Sequence, residues 1–328
     1  MTTRRKLLLG LGSALATWPH LVTAQGKGAL PHVGYLSVGS PDTNGAFLIA
    51  FKEAMRELGY VDGKNIAYDV TWAGERAYDF PQLAASAVKQ NPAAIVTTCI
   101  PSTRAAKQAT QSIPVVMSVD GDPVATGLVA SLAHPGANVT GSTTLFEVLV
   151  PKWIELIRLA APGARRIAIL RNPENLADPY HWALSEEAAK RAGVAVVPVE
   201  ARARQDLDGA FAAMKKQNAD ALIVMTEAFL AGQGDRIVPL AERYRIPAIY
   251  GFREFTEAGG LMSYGLSYRD YYKRVARYVD AVLKGAKPAN LPVEQPTTIE
   301  LVINVAAARK LGLALPPQLL VRADRVIE

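Results

Sequence analysis

Few residues in this chain have the types and spacing that chemistry requires. A single cysteine, Cys99, excludes an internal disulfide, and four dispersed histidines do not form a clustered metal site. Ser40, Ser102 and Ser142 lie outside any GxSxG elbow, no HExxH occurs, and Gly34 to Gly39 lacks the GxGxxG spacing. A GxxxxGK[ST] phosphate loop is also missing. Cys99 follows a strand pattern and precedes Pro101, which puts it near a cleft or in packing, and no sequence signal links it to a histidine. His32, His134 and His181 read as surface or capping residues. Asp120 and Asp122 form a close acidic pair after a strand. Acid–base work and capping of a helix from Pro123 both suit them, and the cap requires less.

A second kind of chemistry is better represented, namely the holding of a small polar molecule. Hydroxyls, amides, carboxylates and small residues gather in Ser37 to Asn44, Thr97 to Thr103 and Asp120 to Pro123. They gather again in Arg171 to Asn175, Thr226 to Phe229 and Gly251 to Glu254. Each group follows a strand pattern and precedes a helix pattern, which is where open parallel sheets collect ligand contacts.

The elements that must position these loops come as alternating strand and helix. His32 to Val38, Asn65 to Trp72, Ala93 to Thr98, Val115 to Val119 and Asn138 to Gly141 read as strands. Helices are predicted from Ala46 to Leu58, Pro81 to Gln90, Ser102 to Thr110 and Pro123 to Ala133. Phe47, Ala50, Phe51, Ala54 and Leu58 make one stripe at three- and four-residue spacing. The same grammar restarts at Pro151, with strands Arg166 to Leu170, Ala195 to Val199, Ala221 to Met225 and Ala248 to Tyr250 between helices. Continuous apolar strands imply helices on both faces of parallel sheets. One large barrel fits the interruption from Asn138 to Pro151 poorly. After a short extended piece at Gly260 to Tyr264, a long helix from Tyr268 to Leu283 carries Tyr272, Val275, Val279 and Leu283 on one side. Extended pieces, a short helix from Ala306 and a final run near Leu319 to Val321 follow, so the tail can return to the first half and recross.

The chain has 328 residues with 50% apolar content, which favours two domains over one and excludes a disordered protein. Residues 1–24 carry Arg4, Arg5 and Lys6, an uncharged run from Leu7 to Trp18, and Val22-Thr23-Ala24 before Gln25. That is the pattern of a signal peptide, and Arg4-Arg5 suits a twin-arginine route to the periplasm; a general secretory signal with two arginines is the alternative. The apolar run is too short to span a bilayer, so no stable membrane insertion of the mature chain is expected. Removing those three cations leaves 33 basic against 30 acidic residues. The scattered remainder forms no basic stripe for nucleic acid.

The opening VGYLSVG, then FKEAMRELGYVDGKNIAYDVTWAGE, IVTTCIPSTRAAKQAT, SIPVVMSVDGDPVATGLVASLAHPGANVTG and RRIAILRNPEN span most of the mature chain. With the tail LPVEQPTTIELVINVAAARKLGLALPPQLLVRADRVIE, they resemble the substrate-binding proteins of bacterial ABC importers, in the branch with proposed tryptophan and tyrosine binders. The resemblance implies an α/β type I periplasmic-binding-protein fold, two doubly wound lobes with parallel sheets joined by a multi-strand hinge. It implies one small organic solute in the cleft, an ABC permease as partner, no cofactor and no catalysis. The expected lobes are residues 31–143 plus 265–290 and residues 144–264 plus 291–328. Carried over residue by residue, first-lobe contacts fall near Ser37, Thr97, Pro101, Ser102 and Asp122. Second-lobe contacts fall near Asn172, Asn175, Thr226 and Glu227.

Two departures lie in that pocket: Cys99-Ile100 before Pro101, and Glu227-Ala228-Phe229 where relatives often have Asp-Asn-Thr. Phe229 is expected either as an aromatic wall or as loop packing, with Tyr35 and Tyr250 as further apolar surface. The expected solute is an aromatic amino acid or a related aromatic carboxylate. Its carboxylate would sit on backbone N–H groups near Ser102, with Thr97 adding a polar contact. Asp122 would pair with an ammonium or accept a hydroxyl hydrogen bond, with Asn172 and Glu227 hydrogen-bonding from the other rim; for an amino acid, Asp122→Asn costs roughly 1–3 kcal/mol if the bond is buried. A sensory binding module and a two-lobed enzyme are the other readings of the same cleft.

Overall fold

The computed structural model describes residues 30–74, 79–144, 148–175, 177–295 and 299–328; residues 1–24, read as a signal peptide, lie outside them. The first half runs β1 (His32–Ser37), α1 (Pro41–Glu57), β2 (Ala67–Trp72), α2 (Phe80–Lys89), β3 (Ala94–Thr97), α3 (Ile100–Ala109), β4 (Val115–Asp120) and β5 (Val139–Thr144). Its five strands are all parallel, in the order β2-β1-β3-β4-β5. Side chains alternate across this sheet. Val33, Tyr35 and Val96 pack under α1, while Leu36, Ile95 and Val115 pack toward α2 and α3.

The second half repeats the plan. It runs α4 (Leu149–Ala160), β6 (Arg166–Arg171), α5 (Asp178–Ala192), β7 (Ala195–Glu200), α6 (Asp206–Lys216), β8 (Ala221–Val224), α7 (Ala228–Ala231), α8 (Gly234–Arg243), β9 (Ala248–Phe252), α9 (Arg253–Glu257) and β10 (Met262–Leu266). Strands β7-β6-β8-β9-β10 reproduce the order of the first sheet. The chain then leaves this sheet as α10 (Tyr268–Leu283), whose Tyr272, Val275 and Val279 enter the core of the first sheet beside Phe51 and Tyr35. Glu294 bridges alongside Ser142 of β5, with Thr143 N–H donating to Glu294 O at 3.0 Å and Glu294 N–H to Gly141 O at 3.0 Å. β11 (Glu300–Asn304) returns to the second sheet antiparallel to β10, followed by α11 (Val305–Leu311), α12 (Pro317–Val321) and β12 (Arg325–Ile327). The path between the sheets is thus taken three times, after β5, after β10 and before β11.

Two expectations need correction. Residues Pro123 to Ala133 form a succession of turns instead of a helix, because Gly127 takes a positive φ of 72° and the chain reverses again before Pro135. Helix α1 begins at Pro41, five residues before the expected start, since proline at a first helical position costs no hydrogen bond. The final run resolves into the helical turn α12 and the short strand β12.

Candidate functional site

In each sheet the strand order reverses beside its first strand, between β1 and β3 and between β6 and β8. A doubly wound sheet opens a crevice outside the carboxyl ends of its strands at that point. The two crevices face one another across a cleft of about 690 Å³, within the range of about 300–1,000 Å³ typical of small-molecule sites.

On the first-lobe side the cleft is lined by the residues just past the strand ends, among them Gly39, Ser40, Thr98, Cys99, Pro101 and Asp122. Ser37, Thr97 and Ser102 are buried and are not among the residues lining the cleft. Ser37 is 1% exposed and its hydroxyl receives the Thr98 hydroxyl at 3.0 Å. Thr97 pairs with the Thr103 hydroxyl at 2.7 Å. Ser102 is fully buried in a reciprocal cap with Cys99: Cys99 N–H donates to Ser102 Oγ at 3.2 Å and Ser102 N–H to Cys99 Sγ at 3.4 Å. The helix start expected to take a carboxylate is therefore already engaged by its own residues. Asp122 does line the cleft, exposed to water, and its Oδ1 accepts Val124 N–H at 2.8 Å and Ala125 N–H at 3.0 Å.

On the second-lobe side Asn172, Asn175, Thr226 and Glu227 all line the cleft. Asn172 Oδ1 accepts Glu174 N–H at 3.0 Å, and Asn175 Oδ1 accepts Ala177 N–H at 3.0 Å. Glu227 is 8% exposed; Oε2 accepts Phe229 N–H at 3.1 Å and Oε1 accepts Leu230 N–H at 2.6 Å. Burial pushes its carboxyl up to about 7, against the pull of those two N–H groups and of Asn172. Thr226 is held by close packing, since a Cβ on Gly251 would stand 2.0 Å from its Cγ2. Behind this wall Arg171 pairs with Asp178, Nε to Oδ1 at 2.9 Å plus a second contact between the same groups, and stacks on Trp182 at 4.9 Å. Burial raises the Asp178 carboxyl while Arg171 opposes the shift.

His181, expected at the surface or as a cap, is 3% exposed and lines the cleft from α5, and burial lowers its imidazole to about 4. The aromatic wall also differs from expectation. Phe229 is 1% exposed inside the second-lobe core, Tyr250 stacks on Phe255 at 4.8 Å, and Tyr35 packs on Phe51 at 5.7 Å. None of the three lines the cleft. In their place, Phe47 of α1 meets Phe252 of β9 edge-on at 6.1 Å, Tyr268 at 5.8 Å and Tyr272 at 5.2 Å, and all four line the cleft. This cluster joins the first lobe, the second lobe and α10. Phe252 falls in the candidate loop Gly251 to Glu254, whereas Phe47 and Tyr272 read as helix-stripe positions; a further signal is the crowding of Tyr268, Tyr271 and Tyr272 at the start of α10.

The cleft thus offers aromatic faces from both halves, carboxylates on both rims, and hydroxyls and amides between them. It can enclose and orient one small organic molecule. No helix among the described residues is long and apolar enough to cross a membrane.

Comparison with known proteins agrees with this architecture. The chain is similar to the tyrosine-binding protein of Clostridioides difficile (strain R20291), 26% identical over 263 residues, covering 80% of this chain and 75% of that protein. Among solved structures it is similar to a conserved domain protein from Vibrio cholerae, with 28% identity and a TM-score of 0.71 over 91% of this chain and 100% of the other. It is also similar to the ABC domain from Streptococcus pneumonia in complex with L-Trp, with 24% identity and a TM-score of 0.70 over 91% and 100% of the two chains. The two sheets and their crossings are the type I periplasmic-binding-protein fold. Residues 40–327 match the family described as ABC transporter substrate binding protein, and the chain belongs to that family.

Proposed function

We propose that this protein is an exported receptor that captures an aromatic amino acid by closure of its two lobes and delivers it to an ABC importer in the inner membrane. The observation that carries the reading is the cleft of about 690 Å³ lined by Phe47, Phe252, Tyr268 and Tyr272, with carboxylates on both rims. Rings supply flat apolar contact, and fixed polar groups set orientation. The named ligands of the relatives, tyrosine and L-Trp, support the same solute class. Of the contacts expected from sequence, Pro101, Asp122, Asn172, Asn175, Thr226 and Glu227 remain as ligand contacts in this reading, since all six line the cleft.

Closure moves a lobe of residues 31–143 plus 265–290 against one of residues 144–264 plus 291–328, about the three crossings. Residues 1–24 direct the chain to the periplasm, and Arg4-Arg5 give it the twin-arginine route. The work is binding and release, with no bond made or broken. Isothermal titration of the mature protein with L-tryptophan, L-tyrosine, L-leucine and a hexose tests the solute class. Aromatic amino acids bind and raise the unfolding temperature, and small-angle scattering records a smaller radius with ligand. Tight binding of leucine or hexose with no aromatic binding would overturn the assignment.

A further inference from the structure

A free amino acid offers two charged ends, and the cleft is not equally prepared for both. Several backbone N–H groups past the strand ends are taken up by the chain's own acceptors: Cys99, Asp122, Asn172, Asn175 and Glu227 each take at least one. Among the described residues lining the cleft, Arg202 is the one permanent cation, and it is shared between Glu174 at 3.2 Å and Glu200 at 2.9 Å. Three carboxylates line the same space: Asp122, Glu174 and Glu227.

Glu227 is the buried one of the three. It is 8% exposed, and its partners are two backbone N–H groups and the Asn172 amide, with no ion pair among the described residues. The Arg171 guanidinium behind this wall is committed to Asp178. A carboxyl buried at a ligand cleft without a cation is costly alone, and a ligand ammonium supplies what it lacks. The rings of Phe47, Tyr268 and Tyr272 in the lining favour an arylalkyl ammonium further, by ring contact and by the attraction of a cation to aromatic rings.

We propose that the cleft selects its ligand by the ammonium rather than the carboxylate, with Glu227 as the counter-ion, so that an arylethylamine without a carboxylate is also a ligand. This rests on the aromatic-solute reading above and narrows it. Asp122 on the opposite rim adds a second negative group facing the same space, and Arg202 with Glu174 stays at the mouth as a salt-linked pair.

Titration follows from the same geometry. Glu227 feels the charge of Asp178, the partner of Arg171, and shares the cleft lining with His181 of α5 and the Arg202–Glu174 pair. Of these Asp178 raises its carboxyl further, and burial holds it up to about 7. An ammonium seated beside it draws that value down, and a proton leaves the protein as the ligand enters.

The test is isothermal titration of wild type with L-tyrosine, tyramine and 3-(4-hydroxyphenyl)propionate, repeated with L-tryptophan, tryptamine and indole-3-propionate. Tyramine and tryptamine bind within about tenfold of the amino acids, and the deaminated acids at least about a hundredfold more weakly, the loss of one buried charged contact. At pH 6.5, in two buffers of different ionisation enthalpy, the ammonium-bearing probes release a proton and the deaminated acids release none. Glu227→Gln, checked by thermal unfolding, loses about a hundredfold for amines and amino acids alike and releases no proton. Deaminated acids binding as tightly as the amino acids, or amines failing to bind where amino acids do, overturns the proposal and leaves the aromatic receptor standing. Binding of none of the six, beside tight binding of a non-aromatic solute, overturns both.

Discussion

Asp122 and Glu227 perform the same local act on opposite rims of one cleft. Each carboxylate accepts the N–H groups two and three residues on, at 2.8 and 3.0 Å for Asp122 and at 3.1 and 2.6 Å for Glu227. Their surroundings then separate them. Asp122 stands in water before a run of turns, while Glu227 is closed in by α5 and the short helix α7, and its carboxyl is held up to about 7. Spacing along the chain gives both residues the same cap. What lies behind the cap decides how much each gains from a ligand cation.

The deepest difference between the rims is the buried pair behind the second one. Arg171 and Asp178 have side chains 14% and 5% exposed, whereas the first-lobe pair Lys52 and Asp62 stands at 35% and 50%. Arg171→Met strands a buried carboxylate and costs about 3 kcal/mol of stability. Lys52→Met costs less than about 1 kcal/mol. Urea unfolding of the two variants measures this, and equal losses would erase the contrast between the lobes.

Binding sharpens the comparison next. Glu227→Gln removes a charge from a dry site and weakens an aromatic amino acid by about 2–3 kcal/mol. Asp122→Asn, whose charge is already solvated, weakens it by no more than about 1 kcal/mol. The sequence expectation of a larger effect at Asp122 assumed a buried bond, and Asp122 is exposed. Titration of both variants decides it, and a larger loss at Asp122 would reverse the ranking of the rims.

Fold and site were unequally legible before the structure. Alternation of apolar strands with amphipathic helices is set by local periodicity, so the two matched sheets and the return of Tyr268–Leu283 to the first core could be read from the chain. Depth at the strand ends could not. Ser37 and Thr97 stop one residue short of the cleft and Thr98 reaches it, because side chains alternate and no local signal states where the last ladder bond falls. Phe47 and Phe252 come from different lobes, and a contact between residues some 200 apart leaves no mark on either segment. Cys99 and Ser102 were visible as a helix start, yet the reciprocal cap that closes it to a ligand depends on rotamers.

Those depth assignments lead to a smaller effect. Thr97→Val breaks the buried pair with Thr103 and costs about 1 kcal/mol of stability, while leaving affinity unchanged. Thr98→Val, in the cleft lining, changes affinity several-fold with little change in stability. Thermal unfolding and titration of both separate wall from lining, and an affinity loss at Thr97 would return it to the site.

The smallest effect is a cancellation within the second lobe. Burial raises Glu227 from an ordinary 4.5 to about 7, so the folded chain keeps a proton that the unfolded chain loses between those values. That contribution to stability is full below 4.5 and is lost as pH rises through 7. Burial lowers His181 from 6.5 to about 4, so here the unfolded chain holds the extra proton. Its contribution is full above 6.5 and is lost as pH falls through 4. Between pH 4.5 and 6.5 the two slopes oppose each other on one wall, and the free wild-type protein gains almost no net pH dependence from them. Glu227→Gln exposes the histidine slope, and stability relative to wild type falls by about 1 kcal/mol per unit of acidification. His181→Gln exposes the opposite slope, and the double variant is flat again. Urea unfolding of the four proteins at pH 5.0, 5.5, 6.0 and 6.5, without ligand, reads these differences directly. Parallel curves for wild type and Glu227→Gln would mean that Glu227 is ionised throughout, and burial on the second rim would then leave its charge untouched.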